Sequence, residues 1–119
     1  MDIIDSVEAL SALAQPTRLE VFRQLVRNEP DGLPAGEIAR RLGVPHNTMS
    51  THLGILEGAG LVTSKRHSRS IVYRVDLTKV RALVVYLLKD CCAGKPELCS
   101  PLLDDLAPCC HPTAGVAIA

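Results

Sequence analysis

The chain has 119 residues, with 13 basic and 13 acidic side chains, and aromatic residues make up only 3% of it. This length allows one domain and a tail. A formal net charge of zero argues against a nucleic-acid-binding protein. The distribution of the charges favours one, however, because residues 31–90 carry nine bases and five acids, whereas residues 1–30 and 91–119 each carry two more acids than bases.

The start of the chain and its cysteines indicate the cellular compartment. Met1–Asp5 contains two acids and no base, so it does not resemble a secretory signal. No apolar run reaches the length that is needed to cross a bilayer. We therefore expect a cytoplasmic protein with no membrane partner. In that reducing compartment, the five cysteines are expected to act as ligands or sensors rather than as structural disulfides.

Two helices are predicted at the beginning of the chain. In residues 3–14 apolar side chains recur close to helical spacing, and the apolar stripe is wide for a terminal helix. Pro16 suits the first position of a second helix, because the N–H that proline lacks would have no partner there. The apolar residues expected on the inner face of this second helix are Leu19, Phe22, Leu25 and Val26. Residues 28–32, a cluster of turn-forming residues, are expected to end it.

Residues 33–58 have the pattern of a helix-turn-helix. The first helix is short and places three apolar residues on one face: Ile38, Ala39 and Leu42. Gly43 can adopt the left-handed conformation that ends a helix, and Pro45 cannot continue the helical hydrogen bonds. The second helix begins near His46 and directs three apolar residues inward: Met49, Leu53 and Leu56. Two short helices joined by a turn that contains glycine predict a motif that reads DNA.

The opposite face of this second helix carries small polar residues and no acid. We expect Asn47, Ser50 and Thr51 to approach base edges in the major groove of operator DNA. His46 and Thr48 are expected to lie nearer to the DNA backbone. For His52, which is next to the inward stripe, a partly buried hydrogen-bonding role is favoured over a role as a metal ligand.

Two β-rich runs, residues 61–64 and 71–75, flank the basic segment 65–70. This pattern predicts a β-hairpin with a basic tip, which is the wing of a winged helix-turn-helix. We expect Arg66 and Arg69 to contact phosphates or the minor groove. The alternative is that the arginines of the hairpin are simply solvated, and Arg74 is given no role in DNA binding.

The last predicted helix, residues 78–93, is apolar on nearly all sides. Such a helix needs two partners, and a domain of this size supplies one. We interpret the two terminal helices as the interface of a homodimer, which also suits a palindromic operator. The alternative is that the domain buries the last helix centrally. Residues 1–93 are thus predicted to form the DNA-binding and dimerisation domain, and residues 94–119 a partly disordered tail that contains cysteines.

Three segments resemble the ArsR/SmtB family of metal-sensing repressors. They are ALAQPTRL at residues 12–19, LGVPHNTMSTHL at residues 42–53, and LEGAGLV at residues 56–62. The resemblance implies a mainly α protein with a small β-hairpin, a winged helix-turn-helix that is homodimeric through its terminal helices. It also implies a repressor of its own operon, without a cofactor in the repressing form, that leaves DNA when a metal or metalloid binds.

The family places its inducer sites in different positions. Many of its arsenic sensors carry a Cys-Val-Cys pair in the first helix of the motif, and residues 33–38 contain no cysteine. Its zinc and cobalt sensors use His and carboxylates on the last helix, and residues 78–89 contain none of these. The remaining pattern resembles arsenic repressors that bind through a vicinal pair and a third cysteine, here Cys91, Cys92 and Cys99. Three thiolates suit As(III) or Sb(III), because soft ligands select soft centres.

Several alternatives remain open at this point. Cys109 and Cys110 are either an auxiliary soft-metal site or ordinary tail residues. The chain could instead be a thiol-based redox-sensing repressor, or a sensor of another soft metal ion, on the same scaffold. An enzyme such as a small thiol reductase is disfavoured, because the sequence contains no Cys-x-x-Cys.

Overall fold

The structure is a computed structural model that describes residues 1–89 and 100–110, and in the last helix it describes side chains only as far as residue 106. Its elements in chain order are α1 (Ile3–Leu13), α2 (Pro16–Arg27), β1 (Leu33–Pro34), α3 (Ala35–Leu42), α4 (His46–Gly58), β2 (Val62–His67), β3 (Ser70–Val75), α5 (Leu77–Leu88) and α6 (Ser100–Cys110). This order confirms the predicted mainly α fold with a winged helix-turn-helix.

The chain divides into two compact units, Met1–Tyr86 and Leu87–Ala119. The first unit contains α1 to α4, the three strands and most of α5, and the second contains α6. The predicted domain boundary after residue 93 and the predicted end of the last helix lie outside the described residues and stay predictions. No helix in the described ranges combines the length and the apolar character that a bilayer-spanning segment needs.

Side chains and proline define where the first two helices begin. The carboxylate of Asp2 accepts a hydrogen bond from the backbone N–H of Asp5 at 2.8 Å, so Asp2 caps α1. Gln15 caps α2 in the same way through the N–H of Arg18, and Pro16 occupies the first helical position, as predicted. Arg18 also donates from Nε to the carbonyl of Ala12 at 2.6 Å, which ties the end of α1 to the start of α2.

The core of the first unit lies beneath α4. The largest side chains that are fully buried come from α2, α3, α4 and β2 with the residue before it: Val21, Leu25, Ile38, Met49, Leu53, Leu56, Leu61 and Val62. The predicted inner faces of both helices of the helix-turn-helix are therefore confirmed. At the turn between them Gly43 has φ +65°, the left-handed conformation that was expected of it.

One predicted inner face is wrong in part. Leu19 and Val26 of α2 are 46% and 45% exposed, and the residues that α2 buries are Val21 and Leu25. These two are four residues apart and therefore lie one above the other on the helix. Phe22 is half-buried against this core, whereas Leu19 and Val26, seven residues apart, lie together beyond one edge of the buried stripe.

The strands form one antiparallel sheet in the order β1–β3–β2. The hairpin is longer than predicted, because β2 continues to His67 and pairs there with Ser70. Lys65 and Arg66 are therefore strand residues, and the turn is confined to Ser68 and Arg69. The addition of β1 to the outer edge of β3 was not predicted.

The turn between α2 and β1 is packed closely against β3. Gly32 has φ +75°, and a Cβ at this position would lie 2.5 Å from the carbonyl oxygen of Tyr73. Any other residue would clash with that backbone oxygen, so glycine allows the turn to approach the strand. This approach fixes the position of the turn relative to the base of the hairpin.

The two terminal helices of the first unit leave apolar surface exposed. On α1 the exposed residues are Ile3, Ile4, Val7 and Leu10, and on α5 they are Leu77, Val84, Val85, Tyr86, Leu87 and Leu88. Leu83 is the one residue that α5 buries. Within the described residues α5 is therefore not a centrally buried helix, which argues against that alternative.

An ion-pair cluster on α3 gives a pH-dependent prediction. Hydrogen bonds from Arg40 and then Arg41 lower the pKa of Glu37 from 4.5 to about 2. Because the pKa is lowered in the folded state, the stabilisation is fully present above the ordinary carboxyl value and is lost as the pH falls through about 2. Urea unfolding of wild type and Glu37→Gln should show a constant difference from neutral pH down to about pH 5, shrinking towards pH 2. A difference that does not change with pH would contradict this assignment.

Candidate nucleic-acid interface

The five residues of α4 that were predicted to contact DNA are all exposed to solvent. These residues are His46, Asn47, Thr48, Ser50 and Thr51. They are exposed because the opposite face of the same helix is anchored in the core, where its three apolar residues have no accessible surface. The helix therefore has one orientation in the unit, with its polar face outward.

Asn47 already makes one hydrogen bond in the free protein. Its Oδ1 accepts from the backbone N–H of Thr48 at 2.9 Å, in the first turn of α4, where Pro45 makes no side-chain cap. The hydroxyl of Thr51 donates to the carbonyl of Asn47 at 3.3 Å. In the described chain the amide nitrogen of Asn47 makes no hydrogen bond, so both of its N–H donors remain available to an acceptor on DNA.

The two histidines of α4 have different environments. His46 lies at the junction of the two motif helices, where a Cβ on Gly36 would be 3.8 Å from its Nε2. His52 is partly buried, as expected, but its Nδ1 is buried without a hydrogen-bond partner among the described residues. The hydrogen-bonding role predicted for His52 is therefore not seen at this atom.

The wing carries three basic side chains within five residues that have no acidic partner among the described residues. Lys65, Arg66 and Arg69 are exposed, and none of them forms an ion pair with the described residues. The arginines of the described chain that do form ion pairs are Arg27, Arg40, Arg41 and Arg74. The wing therefore presents a cluster of positive charge that is free to meet phosphate.

Arg74 has a different role from the other wing arginines. Its Nε and Nη2 donate to the two carboxylate oxygens of Glu29 at 3.0 and 3.1 Å, and this pairing raises the pKa of Arg74. A two-pronged pair of this kind has a fixed geometry as well as a favourable charge interaction. The guanidinium group of Arg74 is therefore engaged within the protein, unlike those of Arg66 and Arg69.

The register of the hairpin separates the wing residues onto two faces. Ser64 pairs with Tyr73, and Arg66 pairs with Ile71, so these four residues share one face. Lys65 lies on the other face. Lys65 was not predicted as a DNA contact, and the two-residue alternation of a strand is the signal that would have separated it from Arg66.

An acidic residue joins the wing to α4. The hydroxyl of Ser64 donates to Oε2 of Glu57 at 2.6 Å. Burial and, to a smaller extent, the charge of Glu57 raise the pKa of Tyr73, the residue opposite Ser64. Glu57 was not singled out in the sequence, because its partner belongs to a separate element.

The predicted inducer site is not described by the structure. Cys91, Cys92 and Cys99 lie outside the described residues, and Cys109 and Cys110 end α6 with side chains that are also outside them. Among the residues that are described, no three His, Cys, Asp or Glu side chains are arranged to hold a metal ion.

Comparisons with known proteins agree with this arrangement. A family model described as a helix-turn-helix domain matches residues 13–65. The transcriptional activator HlyU from Vibrio cholerae is 32% identical over 82 residues, which cover 69% of this chain and 73% of HlyU.

Solved structures show the same fold. An ArsR-like transcriptional regulator from Rhodococcus sp. RHA1 superimposes with a TM-score of 0.65 and 26% identity, covering 82% of this chain and 89% of that one. A homodimeric winged helix-turn-helix DNA-binding domain from Mycobacterium bovis, a possible ArsR-family regulator, has a TM-score of 0.58 and 27% identity over 74% of this chain and 82% of its own. A possible transcriptional regulator for arsenical resistance has a TM-score of 0.56 and 30% identity, covering 68% and 84% of the two chains.

The anchored α4, its exposed polar face and the basic wing define a DNA-binding transcriptional regulator of the winged helix-turn-helix class. The chain belongs to the ArsR/SmtB family. Its relatives regulate transcription and are not enzymes, which confirms the prediction that the chain is not an enzyme.

The double role of Asn47 allows a test in which stability and DNA binding change in opposite directions. Asn47→Asp keeps the oxygen that caps Thr48 and adds a negative charge near the N-terminus of α4, which should stabilise the fold by about 0.3–1 kcal/mol. The same change removes the N–H donors and repels phosphate, so operator affinity should fall by roughly 5- to 150-fold. Thermal unfolding and fluorescence anisotropy measure the two effects. Unchanged operator affinity would exclude Asn47 from the interface.

The wing can be tested through the salt dependence of binding. Removing both Arg66 and Arg69 by alanine substitution should weaken binding and reduce the slope of log K against log salt by about 0.9 for each lost phosphate contact. Arg23→Ala is the matched control, because Arg23 is an exposed arginine of α2 that makes no ion pair with the described residues. An equal slope for wild type and the double variant would show that the wing does not contact DNA.

Proposed function

We propose that this regulator represses an arsenic-resistance operon and is released from operator DNA when As(III) or Sb(III) binds Cys91, Cys92 and Cys99. The observation that carries the proposal is the donor set itself, a vicinal cysteine pair with a third cysteine seven residues further on. The similarity to a possible regulator for arsenical resistance supports it. We place its action in the cytoplasm, where operator DNA and reduced thiols occur together.

The chemistry of the donors fits the proposed inducer. Trivalent arsenic and antimony are soft centres, and thiolates are the soft ligands of proteins. The positions where the family's other sites would lie, residues 33–38 and 78–89, contain no cysteine or histidine. The described residues also hold no metal-binding cluster that would compete with the thiols for this role. Cys109 and Cys110 are assigned an auxiliary role at most.

A homodimer is the second part of the proposal. Ile4 and Val7 of α1 are 75% and 59% exposed, and Val84 and Val85 of α5 are 43% and 54% exposed. Burying apolar side chains of this size against a second copy contributes roughly 25 cal/mol for each Å² removed from water. The homodimeric relative from Mycobacterium bovis supports this assembly. Two copies of α4 about 34–36 Å apart can then enter successive major grooves of a palindromic operator.

In this proposal the inducer site and the dimer interface are linked through α5, and this link is what releases the protein from DNA. The three thiols bind a single centre only if residues 91, 92 and 99 come together, which constrains the chain that follows α5. Since α5 also carries the proposed dimer face, this constraint changes the interface and with it the separation of the two α4 helices. A coupling free energy of about 1–3 kcal/mol is typical of such linkage and lowers DNA affinity by roughly 5- to 150-fold.

Serine substitutions test the inducer site. Serine at position 91, 92 or 99 should leave repression intact and abolish release by arsenite, because a hydroxyl does not replace a thiolate at a soft centre. Serine at both Cys109 and Cys110 is the matched control and should change release much less. Operator release is followed by fluorescence anisotropy during arsenite titration of reduced protein.

The same titration separates the alternatives. A Cys99→Ser protein that releases DNA at the wild-type arsenite concentration would rule out the three-thiolate site. A redox-sensing repressor would stay bound to DNA with arsenite under full reduction and leave it on oxidation. A sensor of another soft metal ion would respond to that ion and not to arsenite.

The dimer can be tested with two matched substitutions. Val84→Glu places a charge on the proposed interface, whereas Val26→Glu places the same charge on α2 at a nearly equal exposure, 45% against 43%. Val84→Glu should give monomers and abolish operator binding, and Val26→Glu should remain dimeric. Sedimentation measures both proteins. A wild-type protein that is monomeric at micromolar concentration would overturn the assembly.

A further inference from the structure

Two side chains from other elements contact the hairpin at the same level, one on each of its faces. At this level Thr63 pairs with Arg74, and Ser64 pairs with Tyr73. On one face Ser64 is hydrogen-bonded to Glu57 of α4, and on the other face Arg74 is paired with Glu29 of the turn before β1. Two glutamates from different elements therefore hold neighbouring positions of the same hairpin.

Both glutamates are carried by parts of the chain that are themselves fixed. Glu57 follows Leu56, which is fully buried, in the last turns of α4. Glu29 belongs to the turn that Gly32 brings against β3, and its side chain is only 17% exposed. Because each glutamate is held in place relative to the core, its hydrogen bond also holds the contacted strand in place relative to the core.

Beyond this level the hairpin pairs with β1 only as far as Val72, which is opposite Pro34. Residues 66–71 make no ion pair and no side-chain hydrogen bond with the described residues outside the hairpin. This outer part carries Arg66 and Arg69, the two arginines assigned to DNA. A small rotation of the hairpin at Ser64 and Arg74 therefore moves both guanidinium groups relative to α4.

We propose that Glu57 and Glu29 are positioning residues that brace the wing on opposite faces and so fix where its arginines meet the DNA backbone relative to α4. The inference rests on the wing–DNA contact proposed above. It also accounts for the presence of two carboxylates beside the base of the wing. Each carboxylate repels phosphate, so each would be a disadvantage unless it acted through the residue that it holds.

The sign of the effect on DNA affinity tests this inference. Replacing either glutamate by glutamine removes a negative charge, and Glu29→Gln also releases Arg74, so simple electrostatics predicts tighter binding. The bracing role predicts the opposite, a loss of affinity of about two- to five-fold for each variant, which is the size of an exposed charged interaction. Ser64→Ala breaks the α4 brace without changing any charge and should give the same loss as Glu57→Gln.

The matched control is Glu20→Gln, which removes a carboxylate from another exposed ion pair, that of Glu20 with Arg27 on α2. Affinities are measured in wild type and in a protein with alanine at both Arg66 and Arg69. The brace variants should lose affinity only where the wing arginines are present, while the control should lose none in either background. Binding that is tighter than wild type in the brace variants, or an equal loss in both backgrounds, would overturn the bracing role.

A measurement without DNA separates failure of the brace from failure of the wing contact. Backbone ¹⁵N relaxation should show lower order parameters for residues 66–71 in the variant that combines Ser64→Ala with Glu29→Gln. Unchanged order parameters in a folded variant would overturn the brace itself. If the arginine substitutions alone leave operator affinity unchanged, the wing contact is wrong, and the relaxation experiment still decides whether the two links hold the hairpin.

Discussion

The DNA-reading part of this regulator depends on the burial of one face of α4. Met49, Leu53 and Leu56 have no accessible surface, and they lie within one stripe of the helix. Truncating such a fully buried leucine or methionine to alanine costs about 2–5 kcal/mol, which is a large part of the stability of a small domain. Because that face is held inward, the helix cannot rotate, and the polar residues on its other side have a fixed direction.

Acidic side chains of the first unit hold several of its arginines in ion pairs. On α3, Glu37 holds both Arg40 and Arg41, and at the base of the hairpin Glu29 holds Arg74. The cations of the wing are distinguished by being both unpaired and clustered, since Lys65, Arg66 and Arg69 lie within five residues of one hairpin. This resolves the difficulty that a chain of zero net charge presents for DNA binding, since the field near the wing differs from the average over the chain.

The proposed sensing residues follow the DNA-reading unit along the chain. The first unit ends within α5, and the cysteines begin shortly after that helix. In the proposed function, an inducer bound there acts on DNA through α5, which also carries the exposed apolar residues of the proposed dimer face. The proposed thiol site uses no residue of α4 or of the wing.

The sequence determined the features that depend on residues close together in the chain. The spacing of apolar residues in α4, the turn at Gly43 and the start of α2 at Pro16 follow from helical periodicity and backbone conformation. Leu19 and Val26 were misplaced because both lie at the edge of a stripe, where only the neighbouring elements decide burial. Glu29 and Arg74 are 45 positions apart, and no local pattern connects them. Their pairing was decided by the tertiary structure, because the packing of Gly32 against β3 brings the two elements together.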